Sequence, residues 1–413
     1  MPSRSFMRAG SVAILALALA APAGVAVAQE DSSITFLTPP WGVPPDQDAL
    51  DAFQAESGIT VEVIDAGQME TLFTSVAVAS AAGEPAADVI FLTEEAPSNI
   101  VATGNVEDMN DLIEAAGTDL GEFAQVDFWQ VDGATYAIPV YSQLVMMDFN
   151  AAKVAEAGFD AAPTTWAELD EMVRAMQESG ADPNPIAFGS IDWSWYLMAL
   201  SMGDAMFDDD LNPVFADEGS KAREAMAMLL GWFADEIISP GIIGQSQHTA
   251  FWEGTGTFHQ GWQGSIGVAN NPERSTQAPD VEYLLLPDEH FTWSFPAALG
   301  IGTGSQNREA AYQFIEWYTG ADNQMAIFDA FGLYPSRPGV AAALNDEGRI
   351  AGYDVIVDQA QYLNELPRTA LWWGPFTADV RSAVQEAATA GMDSDEVIDD
   401  LAKIWNDLKD EYS

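Results

Sequence analysis

The sequence of 413 residues predicts an α/β fold of two or three domains. Near the start of the chain, three short strand-like runs alternate with two helix-like runs, and the third strand, residues 87–92, is almost wholly apolar. A strand without polar alternation is typical of a parallel sheet that helices cover on both faces. Ligands of such sheets bind at the carboxyl ends of the strands, so we expect the site in the loops that follow them.

The opening elements can be placed one by one. Pro39 and Pro40 end the first strand, and Gly58 and Gly83 end the first and second helices. Glycine is favoured there because it readily adopts the left-handed conformation of a helix C-cap. The predicted order is strand 34–37, helix 46–57, strand 60–64, helix 69–82 and strand 87–92.

Turn and capping residues mark the later elements. Asp132-Gly133 lies between two apolar runs and predicts a tight hairpin. Asn150 is placed to cap the helix after it, and Thr165 with Glu168 forms a capping box for a helix that ends near Gly180. We expect strands at 143–149, 185–190, 281–287 and 295–303, helices at 221–233 and 249–253, and a helical tail whose last helix is capped by Asp393.

Residues 1–28 have the composition of a secretory signal peptide. Arg4 and Arg8 precede an apolar run that ends in the small-residue pattern Ala26-Val27-Ala28, which predicts cleavage after this pattern. A membrane anchor is the alternative, but Pro22 and Gly24 interrupt a run already short for spanning a bilayer. No later run is long and apolar enough to cross one, so we expect an exported protein without stable membrane insertion.

The chain is strongly acidic, with 64 aspartate and glutamate residues against 14 lysine and arginine residues and a formal charge of −50. This charge excludes nucleic acid and anionic membranes as electrostatic partners, because both require a basic patch. Self-repulsion destabilises such a fold at low ionic strength, so we hypothesise a saline medium. There is no cysteine, which excludes disulfides, thiolate catalysis, cysteine-bound zinc and a lipid anchor on an N-terminal cysteine.

No motif predicts a metal or a cofactor. His248, His259 and His290 are far apart in sequence and form no local histidine pair. Asp208-Asp209-Asp210 resembles the start of a calcium loop, but Pro213 stands where the sharp turn requires glycine. We therefore expect a solvated acidic turn at this place, and neither a metal nor a cofactor in the protein.

The chain also lacks common catalytic signatures. It has no Gly-x-Ser-x-Gly elbow and no phosphate-binding Gly-Lys-Ser/Thr loop. A secreted glycoside hydrolase that uses two carboxylates is an alternative, and Glu94-Glu95, directly after the third strand, is the best-placed pair. Because candidate pairs are inevitable in so acidic a chain, this pair is no evidence for catalysis, and we favour a protein that is not an enzyme.

Several tryptophans lie in loops or at helix starts, where an indole ring can face a ligand. Sugars present flat C–H faces that pack on indole rings, while nearby polar groups bind the hydroxyls. These candidate platforms are Trp41 after the first strand, Trp193 and Trp195 before a helix, Trp262 in a glycine-rich turn, and the pair Trp372-Trp373.

An ordered set of segments resembles one protein family. The set begins with ESGITVEV, ADVIF and DGATYAIPVYSQLVMMDFN, continues with PTTWAELDEMVRAM, TAFWEGTGTFHQGWQGSI and SQNREAAYQFIEWYTG, and ends with GLYPSRP and LWWGPFTADVRSAVQEA. Together these segments resemble the extracellular solute-binding proteins of ABC importers, in the carbohydrate-binding group that includes maltodextrin-binding proteins. One departure is GTGTFHQG, where the family usually has a run similar to Gly-Lys-Ala-Ala-Met.

The resemblance implies a two-lobed periplasmic-binding-protein fold with a hinge and a ligand cleft between the lobes. It places the N-terminal lobe at residues 29–141 plus 298–331 and the C-terminal lobe at residues 142–297 plus 332–413. By position, Trp262 and one of Trp372 and Trp373 match the family's sugar platforms. With the other loop tryptophans, the candidate ligand-binding set is Trp41, Gln68, Glu70, Glu94, Glu95, Tyr141, Gln143, Trp193, Trp195, Gln260, Trp262, Tyr334, Arg337, Trp372 and Trp373.

The implied function is capture of a sugar or polyol by a monomeric periplasmic subunit. Its partners are then the importer's permease subunits, which work with a cytoplasmic ATPase. An anionic glycoside or sugar phosphate is the alternative ligand and requires cations in the cleft, for which Arg337 is the first candidate and Arg368 the second. A sensor coupled to a chemoreceptor would share the site and differ only in its docking surface.

Overall fold

The computed structural model describes residues 32–95, 97–243 and 245–412. The predicted signal peptide, residues 1–28, and the side chain of Glu70 lie outside the described residues. Within the described part of the chain, strands and helices alternate over the first half and helices predominate towards the C-terminus.

The elements of the described chain follow the predicted order closely. The strands are β1 (Ser32–Thr38), β2 (Ile59–Asp65), β3 (Val89–Leu92), β4 (Gln130–Val131), β5 (Ala134–Thr135), β6 (Ile138–Asn150), β7 (Ile186–Ala187), β8 (Phe258–Trp262), β9 (Val281–Leu284) and β10 (Ser294–Ile301). The helices are α1 (Gln47–Ser57), α2 (Met69–Ala82), α3 (Asn110–Ala116), α4 (Ala151–Glu156), α5 (Trp166–Ser179), α6 (Ile191–Ser201), α7 (Lys221–Ala234), α8 (Gln247–Trp252), α9 (Ser265–Ala269), α10 (Arg308–Tyr318), α11 (Ala321–Phe331), α12 (Pro338–Asp346), α13 (Tyr353–Gln359), α14 (Trp373–Ala390) and α15 (Ser394–Tyr412).

Eight of the described strands form one continuous sheet. Its strand order is β2-β1-β3-β10-β6-β8-β7, and β9 also pairs with β6. The β1, β2 and β3 strands are parallel to one another, as predicted from the apolar third strand. The long strand β6 pairs with β10 through its first half and with β8 and β9 through its second half.

The buried apolar side chains form two cores. The first includes Phe36, Phe91 and Phe314 and gathers β1, β2, β3, the start of β6, most of β10 and α10. The second is rich in tryptophan and gathers the rest of β6 with α5, α6, α7, α14 and α15. The chain passes between them along β6, along β10, and near residue 335, where Pro335 bridges to Tyr141. The lobe boundaries given above stay a prediction, which the two cores support.

Turns and caps confirm the local predictions. Asp132 and Gly133, with φ of 52° and 84°, join β4 and β5 as the tight hairpin requires. The Asn150 side chain accepts a hydrogen bond from the backbone N–H of Lys153 at the start of α4. The Thr165 hydroxyl caps α5 by accepting the N–H of Glu168, while the Glu168 carboxylate accepts the N–H of Thr164 instead of that of Thr165.

The strand predicted at 185–190 is much shorter in the structure. Only Ile186 and Ala187 pair in the sheet, and they pair with β8. Beyond Phe188, the backbone N–H groups of Gly189 and Ser190 both donate to the side-chain oxygen of Gln247, at 2.7 and 2.9 Å. This side chain takes the place of a neighbouring strand, which sequence periodicity could not reveal.

No helix among the described residues combines the length and the apolar composition that a membrane span requires.

Candidate functional site: a cleft between the two cores

A cavity of about 610 Å³, named here the outer cavity, lies between α2 and α14. Phe73 of α2 packs against the first core, whereas Phe376 of α14 belongs to the second, so the cavity separates the two cores. Its volume is within the range of roughly 300–1,000 Å³ that is common for small-molecule sites. Its polar lining consists of Ser80, Glu95, Thr103, Asn105, Thr377 and Arg381.

A smaller chamber of about 10 Å³, the inner chamber, adjoins the outer cavity. Glu95 and Thr377 line both spaces. A chamber of this size accommodates roughly one water-sized group. Its walls are dominated by aromatic rings, and the full lining is Glu94, Glu95, Trp193, Tyr196, Trp293, Leu366, Arg368, Trp373 and Thr377.

Four aromatic side chains hold one another in place around the inner chamber. Trp193 and Tyr196 lie one turn apart on α6, Trp293 directly precedes β10, and Trp373 begins α14. The Trp193 and Trp293 rings meet edge to face with centroids 5.5 Å apart, and the Tyr196 and Trp373 rings are also 5.5 Å apart. Such ring pairs contribute roughly 0.5–1.5 kcal/mol beyond burial, so the wall is rigid.

Glu94 follows β3 by two residues and places a carboxylate in the inner chamber although its side chain is only 9% exposed. Burial raises the pKa of Glu94, and the nearby negative charge of Asp192 raises it further, while the positive charge of Arg368 acts in the opposite direction. No ion pair within 4 Å among the described residues includes Glu94. The chamber therefore holds a buried carboxylate that is poorly compensated.

Asp192, by contrast, is fully compensated within the protein. Its carboxylate accepts hydrogen bonds from the Arg381 guanidinium and from the Thr377 hydroxyl, both at 3.1 Å. The Tyr196 hydroxyl donates to the same Thr377 oxygen at 3.3 Å, and burial raises the pKa of Tyr196. These contacts connect α6 to α14 beside the inner chamber.

Arg368 is the cation at the inner chamber. Its side chain is 3% exposed, forms an ion pair with Glu365, and donates to the backbone carbonyl of Ser294. The guanidinium carbon also lies 4.9 Å from the ring centroid of Phe128. Its Nε–H has no acceptor among the described residues, and burial lowers the pKa of the group. The second cation named from the sequence, and not the first, therefore lines the site.

The structure brings four of the predicted residues together in the inner chamber, namely Glu94, Glu95, Trp193 and Trp373. It also distinguishes the two adjacent tryptophans at the start of α14. Trp373 lines the chamber, whereas the Trp372 ring packs edge to face against Trp405 at 5.5 Å.

Trp195 departs from the sequence-based prediction, because it lies in the second core. Its side chain is fully buried, its indole N–H donates to the carbonyl of Ala222 at 2.9 Å, and its ring packs on Phe215. The physical reason is helical geometry: two residues along a helix turn the side chain by about 200°, so Trp193 and Trp195 face opposite sides.

Arg337 also lies elsewhere than predicted. It forms an ion pair with Glu122, donates to the carbonyl of Thr319 at 2.9 Å, and stacks over Phe123 at 4.0 Å. These contacts join residues on opposite sides of the predicted lobe boundary near residue 331. Arg337 therefore links the two predicted lobes near the chain crossing, and it lines neither cavity.

The remaining predicted residues whose side chains are described line neither cavity. Trp262 donates its indole N–H to the carbonyl of Gly332 at 3.0 Å, close to the third chain crossing. Tyr334 is half-buried, and its carbonyl accepts the backbone N–H of Ser142 at 3.0 Å. Tyr141, Gln143 and Gln260 are buried, Trp41 is half-buried, and Gln68 is exposed at the N-cap of α2.

A buried chain of polar groups lies beside Trp262, and no local motif indicated it. His248 Nδ1 lies 2.8 Å from His259 Nε2, and His259 Nδ1 lies 2.7 Å from Asp148 Oδ1. The Ser265 hydroxyl donates to the other Asp148 oxygen at 2.6 Å. Burial, reinforced by His259, lowers the pKa of His248 well below its usual value. His259 belongs to GTGTFHQG, the segment that departs from the family pattern. The departure therefore places a histidine in this buried chain of polar groups.

Sequence reasoning missed Tyr196, Trp293 and Thr377. A signal existed for Tyr196, because it lies three residues after Trp193 and so shares its helix face. Trp293 and Thr377 had no such signal, since Trp293 reaches the chamber from the residue before β10 and Thr377 through the packing of α14 against α6. Among the described residues, no cluster of three or more histidine, aspartate or glutamate side chains could hold a metal ion.

Solved structures with the same architecture bind several classes of carbohydrate. Maltose-bound MalE3 of T. maritima has a TM-score of 0.76 at 21% identity, over 91% of this chain and 100% of that one. An ABC substrate-binding protein of Listeria monocytogenes in complex with cycloalternan has a TM-score of 0.80 at 16% identity, over 92% and 99%. A solute-binding protein of Agrobacterium vitis with bound D-mannitol has 0.78 at 16%, also over 92% and 99%.

At these identities the likeness concerns the fold, and it confirms the predicted two-lobed α/β architecture. A family model described as bacterial extracellular solute-binding protein matches residues 48–350. This match covers well over half of the sequence, and the chain therefore belongs to the bacterial extracellular solute-binding protein family.

Proposed function

We propose that the protein captures a sugar or a polyol in the cleft between its two cores and delivers it to the permease of an ABC importer. The observation that carries this proposal is the pair of connected spaces, an outer cavity of about 610 Å³ beside a chamber walled by three indoles and one phenol. Indole faces pack on sugar C–H faces, and carboxylates, hydroxyls and amides bind sugar hydroxyls.

Residues that belong to both cores line the cleft. Ser80 and Asn105 come from the part that packs on the first core, and Trp373 and Arg381 come from the part that packs on the second. A ligand that contacts both sides is bound more tightly when the cleft is closed, so it shifts the open–closed equilibrium towards closure. This is the behaviour that a delivery protein requires, because the permease can then distinguish loaded from empty protein.

Several further observations support the assignment. The family is extracellular, and the structural neighbours bind maltose, cycloalternan and mannitol. Periplasmic location, a monomeric state and a permease with its cytoplasmic ATPase are proposed on the same basis. Catalysis is not proposed, and an anionic ligand is disfavoured because the two carboxylate residues Glu94 and Glu95 line the inner chamber against the single guanidinium of Arg368.

The proposal can be tested by a thermal-shift screen of neutral sugars and polyols, followed by calorimetry. A bound sugar should raise the melting temperature without being consumed, and Trp193→Ala should weaken its affinity at least about tenfold. Trp195→Phe, a change on the opposite face of the same helix, is the matched control and should leave affinity unchanged. Absence of any carbohydrate binding would refute the proposal, and turnover of an oligosaccharide would instead support the hydrolase.

A further inference from the structure

We propose that the ligand carries a protonated amine, as amino sugars do, and that Glu94 is the counter-ion of this amine in the inner chamber. This inference rests on the proposed function, since it names the class of carbohydrate that the same site prefers. It follows from the size of the chamber, from the nature of its walls and from its balance of charge.

The size of the inner chamber fits a single small group. A space of about 10 Å³ accommodates one water molecule or a group of similar size, such as an ammonium group. The neighbouring outer cavity is large enough for one or more sugar rings and offers hydroxyl, amide and charged groups to their hydroxyls. A sugar in the outer cavity can therefore extend one substituent past Glu95 and Thr377 into the chamber.

The walls of the chamber attract a cation more than a neutral hydroxyl. Trp193, Tyr196, Trp293 and Trp373 surround the space, and the faces of aromatic rings carry negative electrostatic potential. The contribution of a cation over such a ring is larger where the ring is buried, and Tyr196, Trp293 and Trp373 are buried here. A neutral hydroxyl group has no comparable electrostatic attraction to the rings.

The charge balance around the chamber is negative. Glu94, Glu95, Asp192 and Glu365 contribute carboxylates, against the guanidinium groups of Arg368 and Arg381. Arg368 pairs with Glu365 and Arg381 with Asp192, whereas no ion pair among the described residues includes Glu94. Arg368 acts on Glu94 only from beyond ion-pair distance, so this buried carboxylate is only partly compensated, and an ammonium group beside it would lower the cost of its burial.

The charge of the whole molecule acts in the same direction. A formal charge of −50 raises the local concentration of cationic ligands and lowers that of anionic ones. Glu94 thus supplies the short-range contact, and the surface supplies long-range attraction that salt screens. The two contributions can be separated by experiment.

The first test uses the wild-type protein and matched carbohydrates. Glucosamine, galactosamine and mannosamine, and the disaccharide of glucosamine, are compared with their neutral parents and their N-acetyl derivatives by calorimetry in 0.5 M NaCl. At least one amine should bind ~30-fold or more tightly than both of its neutral partners, because removing one member of a buried ion pair costs at least this factor. Equal binding of the amine and the neutral parent would overturn the proposal and leave sugar binding intact.

The second test uses two variants that each remove one negative charge. Glu94→Gln should abolish the preference for the amine, so that the amine and its neutral partners then bind with similar affinity. Glu62→Gln, at an exposed position on β2, changes the net charge equally and should preserve the preference. A preference that survives Glu94→Gln would overturn the role of Glu94, and failure of every carbohydrate, neutral or cationic, to bind the wild type would overturn both this inference and the proposed function.

Discussion

The Nδ1 atom of His259 lies 2.7 Å from Oδ1 of Asp148, and both side chains are fully buried. Removing a buried hydrogen-bond acceptor leaves its donors without a partner, which costs stability. We therefore expect Asp148→Asn to lower the free energy of unfolding by about 3 kcal/mol, measured by chemical denaturation. Asp209→Asn, in the exposed acidic turn, should change it by less than about 0.5 kcal/mol. Equal effects of the two changes would contradict a structural role for the buried chain.

The same pair illustrates what the sequence could and could not predict. Thr165 with Glu168, Asn150, and Asp132-Gly133 were correctly placed because each of these signals acts within four residues. His248 and His259 meet only because α8 packs beside β8, and Asp148 reaches them from β6 across the sheet. Contacts of this kind depend on the register and packing of elements that are far apart in sequence.

The candidate site was predictable to a similar extent. Glu94 and Glu95 were chosen because loops after parallel strands carry ligand groups, and Trp193 because it begins a helix after a loop. All three line the inner chamber, and their contact with a ligand stays a prediction. Trp195 and Arg337 were misplaced, since sequence composition cannot show which side of a helix faces the core or which carboxylate a cation meets. The register of α6 and the contact with Glu122 decided these two cases.

The contacts of Arg337 with Glu122, Thr319 and Phe123 should stabilise the fold without contributing to ligand binding. Arg337→Ala removes the ion pair with Glu122, the bond to Thr319 and the stacking on Phe123. We expect a loss of about 1–2 kcal/mol in the free energy of unfolding and a change in sugar affinity of no more than about twofold. Glu122→Ala, which keeps the bond to Thr319, should cost less. A large loss of affinity in Arg337→Ala would show that this arginine contacts the ligand after all.

Gly264 predicts a strong steric effect near the third chain crossing. Its φ is +102°, and a Cβ at this position would lie 2.0 Å from the carbonyl oxygen of Gly332. This oxygen also accepts the indole N–H of Trp262, so a shift of Gly332 would disturb that contact. We expect Gly264→Ala to cost about 3 kcal/mol or more and to change tryptophan fluorescence.

Gly267 supplies the matched control for that change. It lies within α9, and its added Cβ would meet no atom within 4 Å. Because alanine is the better helix former, Gly267→Ala should leave stability unchanged or raise it by up to about 1 kcal/mol. If Gly264→Ala were tolerated as well as Gly267→Ala, the close contact between the backbones at residues 264 and 332 would be refuted.

The buried carboxyl group of Glu94 should make the free energy of unfolding depend on pH. Burial raises the pKa of Glu94 above its ordinary value, and Asp192 raises it further, against the effect of Arg368. The folded protein therefore holds this proton more tightly than the unfolded chain, and stability is lost as pH rises from the ordinary carboxyl range through the folded pKa. At neutral pH, Glu94→Gln should raise the free energy of unfolding of the ligand-free protein by about 1 kcal/mol.

This gain should disappear near about pH 4, where the wild-type carboxyl group is itself protonated. Thermal melts of Glu94→Gln and wild type over this pH range provide the measurement. Glu62→Gln should show no comparable difference at any of these pH values, because its carboxylate is exposed. A Glu94→Gln protein less stable than wild type at neutral pH would mean that the carboxylate is compensated within the fold.

The formal charge of −50 predicts that salt stabilises the protein, in keeping with the saline medium proposed from the sequence. The Debye length falls from about 10 Å at 0.1 M salt to about 3 Å at 1 M, which screens most repulsion between surface carboxylates. The melting temperature should therefore rise steeply between 0 and 1 M NaCl and more slowly above 1 M. General exclusion of salt from protein surfaces would instead produce a rise roughly proportional to concentration. A flat or falling melting temperature below 1 M NaCl would show that the surface charge does not destabilise this fold. This result would contradict the hypothesis of a saline habitat.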